Sequence, residues 1–179
     1  DYSLTITDNN GCTKVFPLNL PAPPPLQLDG FIETPVSCKG LADGELLVQV
    51  SGGTGPYTWL WSDAAAQQTN PATMLAEGSY GVTITDAQAC TLEASSSVTA
   101  PDSIALSADI TDAPCFGQSG GSISVTAQGG TAPYTYQWSG GLPADSQVDE
   151  LPAGVYELQV VDVAGCQGSG SFTVGQPDS

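Results

Sequence analysis

Five cysteines, at positions 12, 38, 90, 115 and 166, are the residues of this sequence best equipped for covalent chemistry. No histidine accompanies them, and no two stand at the C-x-x-C spacing that zinc sites favour. Disulfide formation is the chemistry left to them, and it calls for an oxidising compartment. Catalysis has little to work with. Without histidine, a serine or cysteine nucleophile lacks its usual base. The acidic residues do not separate into an acid and a base distinct from the turns that hold them. The expectation is a protein that is not an enzyme, with no catalytic residue and no cofactor.

Two further sets of side chains deserve a chemical question. Asp8, Asp86 and Asp162 recur at equivalent places ahead of a hairpin. Aspartate there usually accepts hydrogen bonds from turn backbone. Calcium is the alternative, with Asp86, Asp162 and Asp43 as candidate ligands and Glu45, Asp102, Asp109 and Asp112 as possible additions. No dense D-x-D-x-D loop is present. The aromatic row Tyr57, Trp59, Trp61 is matched by Tyr134, Tyr136, Trp138. Trp61 and Trp138 are expected in the core; Trp59 is the candidate for an exposed contact with a ligand.

Those residues are positioned by a repeat. Three segments close alike: "YSLTITDNNGC" from Tyr2, "YGVTITDAQAC" from Tyr80 and "YELQVVDVAGC" from Tyr156. Two open alike: "CKGLADGELLVQVSGGTGPYTWLW" from Cys38 and "CFGQSGGSISVTAQGGTAPYTYQW" from Cys115. Pro-rich joints follow the closings. The chain therefore divides into the last two strands of a truncated repeat at 1–22 and complete repeats at 23–101 and 102–179. It reads as a piece of a longer protein. Within a complete repeat, alternating apolar runs are bounded by Gly- and Pro-containing turns, and no segment carries a helical stripe. About seven short strands in under 80 residues predict an all-β, immunoglobulin-like sandwich, the repeats arranged end to end. Ala89 stands where the other closings have a turn glycine, and 65–73 departs from its counterpart.

Charge narrows the partners. Nineteen acidic residues face two lysines and no arginine, for a formal charge of −17. Nucleic acid and anionic membrane are excluded as partners, since both need cations to neutralise phosphate. No apolar run approaches the ~20 residues of a membrane span. Sequence this poor in Lys and Arg also offers trypsin-like proteases few sites.

The quoted openings, with the closings "AEGSYGVTITDAQAC" and "PAGVYELQVVDVAGC", resemble SprB-type repeats of gliding-motility surface adhesins. The resemblance covers essentially the whole chain. It implies a secreted module displayed on a bacterial surface as part of a long stalk or adhesin, serving attachment or gliding. Its implied partners are neighbouring repeats, surface polysaccharide or other adhesin chains. An accessory carbohydrate- or protein-binding module of a secreted enzyme or receptor is the alternative, and a flanking catalytic domain would favour it.

Two disulfide maps remain open, with free thiols or another arrangement as a third alternative. Pairing inside each repeat joins Cys38 to Cys90 and Cys115 to Cys166, closing loops of about 50 residues worth roughly 4 kcal/mol each. In an immunoglobulin-like order, however, the first cysteine lies at the bottom of the sandwich and the second at the top. A seven-residue strand separates them by roughly 23 Å, against the ~7 Å that a disulfide tolerates between Cα atoms. Pairing across the junction joins Cys38 to Cys166 and leaves Cys12, Cys90 and Cys115 to partners outside the chain.

Overall fold

A computed structural model describes residues 2–19 and 21–178. Its strands fall into three groups. Tyr2–Thr7 (β1) and Thr13–Leu18 (β2) form an antiparallel hairpin. The second group comprises Gln27–Thr34 (β3), Gly44–Ser51 (β4), Thr58–Trp61 (β5), Ala72–Leu75 (β6), Gly78–Thr85 (β7) and Thr91–Val98 (β8). The third comprises Ala105–Thr111 (β9), Ser119–Gln128 (β10), Tyr134–Trp138 (β11), Gln147–Pro152 (β12), Gly154–Asp162 (β13) and Gln167–Val174 (β14). The helical content of the described residues is one turn of 3-10 helix at Ser139–Gly141.

Each six-strand group makes two three-stranded antiparallel sheets. In the first the orders are β3-β4-β6 and β5-β7-β8; in the second, β9-β10-β12 and β11-β13-β14. Lettered as immunoglobulin strands, these are A-B-E facing C-F-G. The fold is all-β and immunoglobulin-like. Each sandwich has six strands where about seven were expected, because no strand D forms between C and E among the described residues. In the first sandwich that connection is tied by side chains instead. The Asn70 amide accepts from Val48 N–H (3.0 Å) and donates to Val48 C=O (2.8 Å), imitating a neighbouring strand. Gln67 and Asp63 bond each other and the surrounding backbone. This is the stretch where 65–73 departs from its counterpart. In the second sandwich Val125 N–H bonds the backbone of Ser146 (2.8 Å) at the corresponding place.

The two cores correspond position by position. Leu46, Val48, Trp61, Leu75, Val82, Ile84 and Val98 fill the first; Ile123, Val125, Trp138, Leu151, Leu158, Val160 and Val174 fill the second. Alternation places them inward, since side chains switch face at each residue of a strand. Both tryptophans are buried as expected, at 2% and 7% exposure. Their indole N–H groups donate to the carbonyls of Thr69 and Asp145, each at 2.9 Å. The β1–β2 hairpin has no such cover: Tyr2, Leu4, Ile6, Val15, Phe16 and Leu18 are all exposed.

Candidate functional site

Cys38, Cys166, Asp162 and the Pro-rich joint at 99–103 meet at the junction between the sandwiches, and the same kinds of turn recur at the other ends. The junction is assembled from three turns. The first is the F–G turn. In all three closings the aspartate N–H donates to the carbonyl of the cysteine four residues on, at 3.0 Å in each case. Its carboxylate Oδ1 then accepts from the cysteine N–H: 2.9 Å for Asp8 to Cys12, 2.9 Å for Asp86 to Cys90, and 2.8 Å for Asp162 to Cys166. The aspartate thus holds the cysteine at the tip.

The second turn is the Gly-Gly stretch between strands B and C. Asp86 Oδ2 accepts from Thr54 N–H (2.9 Å) and Asp162 Oδ2 from Thr131 N–H (2.7 Å), so one carboxylate ties two turns together. The incoming joint docks on the same glycines. Gly53 N–H donates to Pro24 C=O and Gly130 N–H to Asp102 C=O, both at 2.8 Å. Glycine is required for two reasons. Gly52 and Gly129 have φ of +71° and +79°, and a Cβ there would collide with the carbonyls of Pro25 and Ser103. The tyrosine of each Pro-Tyr pair closes the turn, with Tyr57 OH donating to Gly52 C=O (2.5 Å) and Tyr134 OH to Gly129 C=O (2.6 Å).

The third turn lies between strands A and B at the opposite end of each sandwich. Leu41 N–H bonds Cys38 C=O (3.1 Å), and Gln118 N–H bonds Cys115 C=O (3.2 Å). In the first sandwich Asp43 accepts from both Ser37 N–H (3.0 Å) and Ser37 Oγ (2.5 Å), bracing the residue beside Cys38.

The A–B turn of the first sandwich meets the F–G turn of the second, and there Cys38 and Cys166 are joined by a disulfide with their Cα atoms 5.5 Å apart. Of the two maps open from sequence, the structure adopts the one across the junction. The pairs within a repeat, Cys38–Cys90 and Cys115–Cys166, are not made. Among the described residues, Cys12, Cys90 and Cys115 carry free, exposed thiols.

Four carboxylates are held below their ordinary value of 3.8. For Asp86 the cause is donation from Cys90 and Thr54 N–H groups. For Asp162, burial opposes ionisation, but N–H donors from Thr131, Cys166 and Ala164 outweigh it. Ser37 lowers Asp43 through its hydroxyl and its N–H. Asp63 is opposed by burial and lowered by Gln67. The calcium candidates are therefore engaged in backbone bonds: Asp86 lies in the first sandwich's F–G turn, Asp162 in the second's, and Asp43 in an A–B turn. Among the described residues no group of three acidic, cysteine or histidine side chains is placed to hold a metal.

Trp59 is half-buried, edge-on to Tyr57 with ring centroids 6.1 Å apart. It borders a shallow depression of about 450 Å³ that Asp29, Gln49 and Asn70 also line. Its counterpart Tyr136 is half-buried as well. Sequence reasoning missed the roles of the tyrosine hydroxyls. Besides Tyr57 and Tyr134, Tyr80 OH donates to Ala76 C=O (3.0 Å) and Tyr156 OH to Pro152 C=O (2.7 Å), the tyrosine corner of immunoglobulin-like domains. Their recurrence in G-x-Y and P-Y was the signal.

Turns, joint and disulfide together describe a tandem array of immunoglobulin-like modules cross-linked at the junction. The family model described as SprB repeat matches residues 31–66 and 107–143, which contain strands B and C and part of strand A of each sandwich. No curated protein matches the chain. Among solved structures it is similar to the N-terminal four Ig domains of Dscam1 isoform 9.44, at 12% identity and a TM-score of 0.37, over 94% of this chain and 51% of that one. It is also similar to Sidekick-1 immunoglobulin domains 1–5, at 10% identity and a TM-score of 0.38, over 98% and 46%. A third is the C-terminal 282-residue fragment of intimin in complex with the Tir intimin-binding domain, at 13% identity and a TM-score of 0.40, over 85% and 64%. The chain spans about half the length of the first of these structures.

Proposed function

We propose that this chain is a segment of a long extracellular stalk or adhesin on a bacterial surface, serving attachment or gliding, with a mechanical rather than catalytic role. The observation that carries this reading is the disulfide between modules. A bond from the A–B turn of one sandwich to the F–G turn of the next stabilises neither core directly; it restrains the angle between modules and keeps them joined under load. An oxidising compartment suits the bond, and the net charge of −17 suits a surface that must not collapse onto itself. The SprB repeat matches support the same assignment to surface adhesins. The partners on this reading are neighbouring repeats, with polysaccharide or other adhesin chains at the cell exterior, and neither nucleic acid nor direct insertion into membrane.

Antibodies raised against the purified chain test it on intact cells of the source organism. The expected outcome is surface labelling without permeabilisation, together with loss of attachment or gliding when the gene is deleted. Labelling only after permeabilisation would overturn it. A second reading, an accessory module that binds glycan or protein, has the half-buried Trp59 beside its depression in its favour.

A further inference from the structure

We infer that the three free thiols are half-sites of a disulfide ladder, each built to bond the cysteine of an adjoining module of this same type. Cys115 is the A–B half and takes the F–G cysteine of the module that follows. Cys90 and Cys12 are F–G halves and take the A–B cysteine of a module that precedes.

The bond already formed supplies the template. Cys38 sits on an A–B turn closed by Leu41 N–H to Cys38 C=O, and Cys115 sits on the same turn closed by Gln118 N–H to Cys115 C=O. A positive-φ glycine follows each by two residues, Gly40 at +86° and Gly117 at +68°. The strand leading into each turn is anchored alike, by Val36 N–H to Thr99 C=O (3.1 Å) and Ala113 N–H to Gly175 C=O (3.0 Å). On the other side, Cys12 and Cys90 are held by aspartate bonds that match those holding Cys166 to within 0.1 Å. Exposure follows the bond: Cys38 and Cys166 are half-buried, whereas the three thiols are exposed. The joint is matched too, since the "VTAPDS" run at 98–103 has its counterpart in "VGQPDS" at 174–179. A joint of one pattern, V-x-x-P-D-S, therefore closes both sandwiches.

Bond formation oxidises two thiols, which release two protons and two electrons. A small-molecule disulfide such as oxidised glutathione accepts them and leaves as two thiols, through a mixed disulfide with one cysteine. The ladder rests on the tandem-array reading and is independent of what the array adheres to.

The test is a chain lengthened by repeating residues 26–103 after Ser179, with Cys12→Ser and Cys90→Ser in the original part and Cys38→Ser in the appended module, so that one Cys38 and one Cys90 remain. After equilibration in oxidised and reduced glutathione, thiols are alkylated and the chain is digested without reduction. The expected result is a Cys115–Cys90 cross-linked peptide beside the Cys38–Cys166 peptide, the Cys115 link disappearing in a Cys115→Ser version. Recovery of Cys115 as an alkylated thiol, or joined to Cys166, overturns the ladder while leaving the stalk reading in place. Loss of the Cys38–Cys166 peptide overturns it as well, because the template junction is then not formed.

Discussion

At the scale of single residues, the F–G turn shows how a repeat tolerates one departure. The position before the cysteine has positive φ in all three closings: Gly11 at +83°, Ala89 at +61° and Gly165 at +87°. An L-residue pays roughly 1–2 kcal/mol to occupy the left-handed region, and glycine does not. Ala89→Gly is therefore expected to stabilise the first sandwich by about 1 kcal/mol, partly offset by the freedom glycine gains when unfolded. Denaturant titration checks this, and no change or a loss would contradict it. The aspartates beside the cysteines set a pH dependence. Asp86 and Asp162 ionise more readily folded than unfolded, so their contribution is complete above the ordinary carboxylate value of 3.8 and is lost as pH falls through the folded values below it. Melting temperature should fall as pH drops below about 4. Asp86→Asn should melt lower at neutral pH, because its amide presents a donor to Thr54 N–H, and should show a shallower acid slope.

At the scale of elements, two independent cores are built on one pattern. A-B-E packs on C-F-G in each, and the residues filling the first, Leu46, Trp61 and Ile84 among them, have counterparts in Ile123, Trp138 and Val160. No core residue is shared. With the disulfide reduced, Trp61→Ala should cost the first sandwich about 3–5 kcal/mol and leave the second sandwich's transition where it was. Calorimetry that found both transitions moving together would show coupling beyond the covalent bond. The connection from C to E marks where elements are least determined by pattern. A side-chain amide, Asn70, replaces a strand in one module, and backbone alone suffices in the other. Periodicity reports strands with an apolar face; a missing strand D and an amide in its stead leave no periodic trace.

At the scale of the molecule, the disulfide redirects force. Cys38 and Cys166 are 128 positions apart, so tension between the termini passes through β3, the bond and β14, and bypasses the chain between. That span would extend to about 430 Å at the ~3.4 Å reached by each stretched residue. Single-molecule pulling should therefore show this length hidden in the oxidised chain and released after reduction, as two unfolding events. Equal extension in both states would remove the load-bearing role. A charge of −17 adds mutual repulsion along the array, which salt should weaken as screening shortens its reach.

Amino-acid order alone determined the architecture here. Period-two apolar runs, Gly-Gly and Pro-Tyr turns and the doubled closings specify an immunoglobulin-like sandwich written twice, because strand faces and positive-φ turns are local demands that particular residue types satisfy. The inward tryptophans were legible for the same reason. Tertiary structure alone decided which cysteines meet. Connectivity depends on which ends of two separate sandwiches abut, a distance set by strand length and by the docking of Asp102 on Gly130, and spacing along the chain does not encode it. It likewise showed which N–H groups Asp86, Asp162 and Asp43 accept from, since only the folded backbone shows where the donors point.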